Sequence, residues 1–268
     1  MDEGYMLETA IRAAREAGQV ALANLHKPQK LRIKGLRDFV TDGVVEVQDK
    51  ITEVISQEFP NHSFLTEEGN ETPEVEEGLQ WIIDPIDGST NYHRGLFPFA
   101  ISIALRRGVH PLLGVVYDPY HDDLFRAQRR HGAFLNDKPL RISTEDELEM
   151  AVVGTDWPRA VDKRAEHIRV TEVMLGEVIT LRTLGSPALG LCYVAAGYLE
   201  AYYHLSLNLW DVAAAAVIIE EAGGDVSDEQ GGPWIYSPGG YVAANKHIHR
   251  RVLRIVSGVL QALAPPRL

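Results

Sequence analysis

Apolar residues recur along the chain with two different periods, and the change from one to the other divides it. Leu7, Ile11, Ala14, Gly18, Ala21 and Leu25 fall at steps of three and four, which predicts an amphipathic helix over 5–25. Val44, Val47, Ile51 and Ile55 repeat that spacing in a second helix, capped by Thr41 or Asp42 and ending near Phe59. Leu31-Arg-Ile33 between them is a short strand. From Ser63 to Leu135 the helical period is lost and β-rich runs take over, among them Gln80-Trp-Ile-Ile83, Phe99 to Leu105 and Leu112 to Tyr117. These runs leave no room for crossover helices, so they predict antiparallel pairing, with a hairpin turn at Asn136-Asp137. Beyond Ser143 strands and helices alternate, which predicts a more parallel sheet covered by helices at 159–175, 186–196, 209–222 and 247–263.

No flexible linker marks the change at Ser143, and there is no internal repeat. We therefore expect one continuous structural unit built of two subdomains, 1–143 and 144–268. With 268 residues, 45% of them hydrophobic, the chain has enough apolar material for a large core without disulfides. A single cysteine, Cys192, excludes a disulfide framework and a cysteine-based zinc cluster. It lies in an apolar helical stretch and reads as a core thiol. No apolar run reaches membrane-spanning length and the N-terminus lacks a signal-peptide pattern, so a cytoplasmic protein is expected.

The formal charge of −12 changes the picture more. Such a chain repels nucleic acid unless its basic residues cluster, and no long basic run exists, so nucleic acid is not expected as a partner. An anionic small molecule is repelled too, unless bound cations invert the local field.

One stretch brings such cations into view: Trp81-Ile-Ile-Asp84-Pro85-Ile86-Asp87-Gly88-Ser89-Thr90. An apolar strand runs into Asp84, and Pro85 has no N–H to continue the ladder, so a turn is expected there. Asp84 and Asp87 then converge around a tight bend. Gly88 leaves room for close approach, while Ser89 and Thr90 offer hydroxyls and N–H groups to a phosphate. Taken alone, Asp87-Gly88-Ser89 is equally ordinary turn chemistry. Asp84 is different, because a carboxylate at the buried end of a strand needs partners. Glu67-Glu68 follows another strand, and either could be a solvated acid in an acidic loop. Asp211 opens an Ala-rich helix, where the helix dipole alone would favour it. Together these acids make an oxygen-only set suited to Mg²⁺, with no pattern favouring zinc. His247 and His249 are two apart, which on a helix does not converge on one metal, so they read as surface residues. Asp156, at a strand exit, either lines the cleft or caps the next helix.

These motifs resemble the inositol monophosphatase family over nearly the whole chain. Asp84-Pro-Ile-Asp87-Gly-Ser-Thr90-Asn91 is similar to its first signature, and Leu209-Trp210-Asp211 with Glu221-Ala-Gly-Gly224 to its second. Asp38-Phe-Val-Thr41 and Phe64-Leu-Thr-Glu67-Glu68 resemble two further elements in the family's order. The resemblance implies an α/β chain of α+β type, a layered αβαβα sandwich and a homodimer. It implies a Mg²⁺-dependent phosphomonoesterase with two or three ions, held by Glu68, Asp84, Asp87, Asp211 and the Ile86 carbonyl. Gly88, Ser89 and Thr90 would bind phosphate, with Ser89 positioning water; Ser186, His204 and Asp211 would face the rest of a small phosphorylated polyol or sugar.

Four positions depart from the family pattern. Val44 stands where a third-metal or water-orienting Asp is usual, and Asp42, two residues off, points elsewhere. Ser89 replaces Thr and keeps the hydroxyl. Pro187 removes an N–H that often faces substrate. His204 stands where inositol-binding members carry Glu, and offers at most one acceptor nitrogen to sugar hydroxyls. The phosphate end is intact and the leaving-group end altered. Fructose 1,6-bisphosphate, a 3′-phosphonucleotide and histidinol phosphate are the competing substrates, and a scaffold that has lost turnover is the competing class.

Overall fold

In the computed structural model, residues 3–27, 30–69, 78–234 and 239–263 are described. Helix α1 (Glu3–Asn24) buries its small-residue face, including Ala10, Ala14, Ala17 and Ala21, and packs on α2 (Asp42–Glu58). Gly18 lets α1 sit close to the neighbouring sheet, since a Cβ there would lie 2.6 Å from the Tyr117 ring. Between the two helices, β1 (Leu31–Gly35) and β2 (Asp38–Thr41) form a separate antiparallel hairpin.

A seven-stranded sheet follows in chain order: β3 (Ser63–Thr66), β4 (Leu79–Asp87), β5 (Ala100–Arg107), β6 (His110–Asp118), β7 (Asp123–Gln128), β8 (Ala133–Leu135) and β9 (Lys138–Pro139). All its pairings are antiparallel except β3 with β4, which is parallel. The expected hairpin falls at Asn136, whose φ is +53°. The short helix α3 (Ser89–Arg94) leaves the end of β4.

The second sheet, in the order β11-β10-β12-β14-β13, is mixed. β10 (Val152–Thr155) runs parallel to β11 (Thr180–Arg182) and β12 (Ala201–Leu207). β14 (Gly239–Ala244) is antiparallel to both β12 and β13 (Asp225–Asp228). The connecting helices are α4 (Val161–Leu175), α5 (Pro187–Ala195), α6 (Leu209–Ala222) and α7 (His249–Leu263).

Three apolar clusters show how these elements stack. Trp81 and Ile83 of β4 face α1 and α2, whereas Ile82 faces the opposite way, toward α5 and α6. Such a strand is buried on both sides, which is why its sequence reads as a continuous apolar run. α5 and α6 also bury Tyr202 and Ala243 of the second sheet, whose far face meets Val170 of α4 and Val252 of α7. The order is therefore α1/α2, sheet, α5/α6, sheet, α4/α7, the expected αβαβα sandwich. No helix among the described residues is long and apolar enough to cross a membrane.

Two local expectations change. β4 does not turn at Asp84; it continues to Asp87, with its register against β5 shifting between these two residues. Pro85 sits in that bulge, where a missing N–H costs the ladder nothing. His249 is buried, with its Nε2 3.1 Å from Ser227 Oγ, whereas His247 is exposed.

Candidate active site

The bulge at the end of β4 shapes the site. The Ile86 N–H donates to Asp84 Oδ1 at 3.0 Å, which closes a small side-chain turn and leaves both Asp84 and Asp87 buried. Gly88 follows with φ +93°, and a Cβ there would lie 2.9 Å from the Gly185 carbonyl oxygen, so only glycine allows this approach. Asn91 of α3 ties the two strand ends together, donating to the carbonyls of Pro98 at 2.7 Å and Leu184 at 2.9 Å.

Asp211 arrives from the first turn of α6. It does serve the helix end, since Oδ2 accepts the Asn208 N–H at 2.7 Å. It also meets Asp84 and Asp87: one oxygen from each of the three carboxylates lies within 4.8 Å of the others. One carboxylate thus both closes the helix end and joins the acidic group.

The adjacent acids after β3 part company. Glu67 lines the cleft, and its pKa is pushed up to about 7, first by burial and then by the Asp211 charge. Glu68 turns away to Lys34, with Oε1 3.0 Å from Nζ, while its N–H donates to Gln48. The structure therefore brings Glu67, not the expected Glu68, to the carboxylate group. The ladder explains why: the Glu67 N–H donates to the Ile83 carbonyl, continuing the β3–β4 pairing by one residue, and successive side chains of an extended chain point to opposite sides.

Burial also raises Asp84 and Asp87 well above the usual carboxylate range, helped by Glu67 at Asp84 and by Asp211 at Asp87. Asp211 is pushed up to about 6 by burial. Four desolvated carboxyl groups crowd one floor, a surplus of negative charge that a cation would relieve.

Ser186 is buried and does not face the cleft. Its hydroxyl donates to Asp87 Oδ2, which also accepts the Ala188 N–H at 3.0 Å, so Ser186 holds a carboxylate rather than a substrate. Ile86, Gly88, Ser89, Thr90 and Pro187 all line the cleft. His204 lines it too, but Nδ1 already accepts the Ser206 N–H at 3.0 Å and the ring bonds to the Trp157 backbone. Burial, then the facing His167, pushes its pKa down to about 3, so it stands as a neutral wall. Val44 belongs to the apolar core beside α1 and Asp42 is exposed at the first turn of α2, so neither lines the cleft.

Asp156, expected either to line the cleft or to cap a helix, does the first; three arginines of the same cleft were not legible in the sequence. Asp156 lines the cleft and accepts from the Gly185 N–H at 2.6 Å and the Tyr202 hydroxyl at 2.9 Å; it fixes the 184–187 loop, and Ala160, not Asp156, caps α4. Arg37, Arg159 and Arg164 stand in the cleft wall. The strand exit at Trp157-Pro158 was the signal for the last two.

The cleft encloses about 530 Å³ over an oxygen-only cluster at the strand ends between two sheets, which is the arrangement of a metal-assisted phosphate-ester hydrolase. The chain belongs to the inositol monophosphatase family, whose profile matches residues 2–261. It is similar to Nus factor SuhB of Escherichia coli (strain K12), 38% identical over 251 residues, covering 92% of this chain and 94% of that one. It is 36% identical to inositol-1-monophosphatase of Mesorhizobium japonicum over 268 residues, covering 98% and 100%. Among solved structures it resembles the Thermotoga maritima IMPase, with TM-score 0.88, 32% identity and coverage of 97% and 99%.

Proposed function

We propose that the protein is a Mg²⁺-dependent phosphomonoesterase acting on a small phosphorylated polyol, sugar or related alcohol. The observation that carries this reading is the convergence of Asp84, Asp87 and Asp211, with Glu67 beside them, at the floor of a substrate-sized cleft. These donors fit Mg²⁺ because all are hard oxygens, and because four buried carboxyl groups carry more charge than the bordering Arg159 guanidinium, 3.8 Å from Glu67 Oε1, can balance. Glu67, Asp84, Asp87, Asp211 and the Ile86 carbonyl would hold it, with Glu67 taking the place first expected of Glu68. When bound, Mg²⁺ lowers the pKa of water and neutralises charge developing on the phosphoryl group.

The rest falls to the chain itself. Gly88, Ser89 and Thr90 receive the phosphate beside the carboxylates, and the Ser89 hydroxyl orients the attacking water. Ser186 and the Ala188 N–H keep Asp87 aimed at the floor. With Val44 in the core, no acid of α2 lines the cleft, which favours two ions over three. A homodimer in the cytoplasm completes the reading.

One observation favours a second reading. The Escherichia coli relative is named a Nus factor, and a chain lacking an acid at position 44 is a candidate scaffold with weak turnover. Phosphate release from a panel of monoesters, with Mg²⁺ and with chelator, separates the two. The expected result is Mg²⁺-dependent release, with inositol 1-phosphate outpaced by at least one other ester because His204 and Pro187 give its hydroxyls few partners. Equal rates on every ester would remove the specificity argument, and no release from any would favour the scaffold.

A further inference from the structure

The proposed handling of the scissile phosphate assigns no role to the three arginines in the cleft wall. Arg159 and Arg164 come from the stretch between β10 and α4, and Arg37 from the tip of the β1–β2 hairpin across from it. Specific contacts hold them near one another. Arg37 Nη1 donates to the Arg159 carbonyl oxygen at 3.2 Å, and Arg164 Nε donates to the Pro158 carbonyl oxygen at 2.6 Å. Arg159 Nη1 lies 3.8 Å from Glu67 Oε1, so this guanidinium borders the carboxylate floor. Three arginines thus share one wall in a chain of net charge −12, and Glu67 is the acid beside Arg159. Asp156, the cleft acid on the same β10 exit, is occupied by the Gly185 N–H and the Tyr202 hydroxyl instead.

The remaining wall points the same way. Trp157 is half exposed within the cleft, Pro187 has no N–H, and the His204 ring is engaged by the Ser206 N–H at Nδ1 and by the Trp157 backbone. These three residues have little to offer a ring of neutral hydroxyls, whereas the arginines beside them have much to offer a second negative charge. We infer, resting on the phosphomonoesterase reading, that the alcohol portion of the substrate carries a second anionic group, a phosphate or a carboxylate. Arg37, Arg159 and Arg164 bind that group through charge-assisted hydrogen bonds, while the body of the molecule packs on Trp157.

Matched ester pairs test this in the full chain with Mg²⁺. Fructose 1,6-bisphosphate against fructose 1-phosphate tests a phosphate, and 2-phosphoglycerate against glycerol 2-phosphate tests a carboxylate. In one pair the anion-bearing member should have the higher kcat/KM, by about tenfold or more, as charge-assisted contacts imply. Arg37→Gln combined with Arg164→Gln should collapse that ratio; Arg159 is left intact because it borders Glu67. Equal kcat/KM within both pairs, or a preference that survives in the double variant, overturns the inference. Should Arg164→Gln unfold the loop, Arg37→Gln alone on the exposed hairpin carries the test. Should no ester be hydrolysed, the phosphatase reading fails, and binding decides the subsite separately. By calorimetry without Mg²⁺, wild type should then bind fructose 6-phosphate or glycerate more tightly than fructose or glycerol, and the double variant should not. Equal binding would refute it.

Discussion

Asp87→Asn should abolish phosphate release, lowering kcat by on the order of 10³-fold or more, since a lost ligand should cost at least what one preorganised donor does. The fold should survive. Asp87 Oδ2 accepts the Ser186 hydroxyl and the Ala188 N–H, and an asparagine carbonyl oxygen in the same place accepts both. Replacing a buried carboxylate by a neutral group of the same shape also removes a desolvation cost, so metal-free stability should change little. A melting temperature within about 4 °C of wild type is the expected reading for a chain this size. Activity retained with the fold intact would refute the metal assignment; a variant that does not fold would refute the account of what holds Asp87.

The neighbouring acids should separate just as sharply. Glu67→Gln should lower kcat/KM by about 10²-fold or more, because it removes a charged donor from the floor. Glu68→Gln should change it less than about threefold, because it loses only the partly exposed contact with Lys34, worth under about 1 kcal/mol. Steady-state kinetics on both variants checks this directly. The reverse order of effects would restore Glu68 as the site residue and contradict the geometry.

That pair also shows where sequence reasoning reaches its end. Two consecutive acids after a strand announce a site, but which one enters it depends on strand parity, and parity follows from the pairing of β3 with β4. Local chemistry was legible where a residue's neighbours decide its conformation. α6 runs over 209–222 as expected because Asn208 and Gly223 punctuate it, the latter with φ +99°. The turn at Asn136 was equally plain. β13 escaped because Asp225-Val-Ser-Asp228 holds a single apolar residue, all that an edge strand needs. Pro85 was read as a stop, yet a bulge absorbs it and carries Asp84 and Asp87 on one strand end.

The cleft wall was the least legible part. Ser186, expected to face substrate, is drawn inward by Asp87, and His204 is occupied by backbone groups on either side. The arginines come from two distant segments, the 36–38 hairpin tip and the 157–164 stretch, and only the tertiary fold places them together. Asp84-Pro-Ile-Asp87-Gly-Ser-Thr90 carried the proposed phosphate end; the proposed leaving-group end needed the three-dimensional arrangement.

On the proposed function, these buried carboxylates exist to hold a divalent cation. Calorimetric titration of Mg²⁺ into the wild-type protein, with Asp87→Asn alongside, tests it most directly. Saturable binding with a Kd on the order of millimolar or tighter, lost in the variant, is the predicted result. No binding at millimolar Mg²⁺, or equal binding by both proteins, would contradict it.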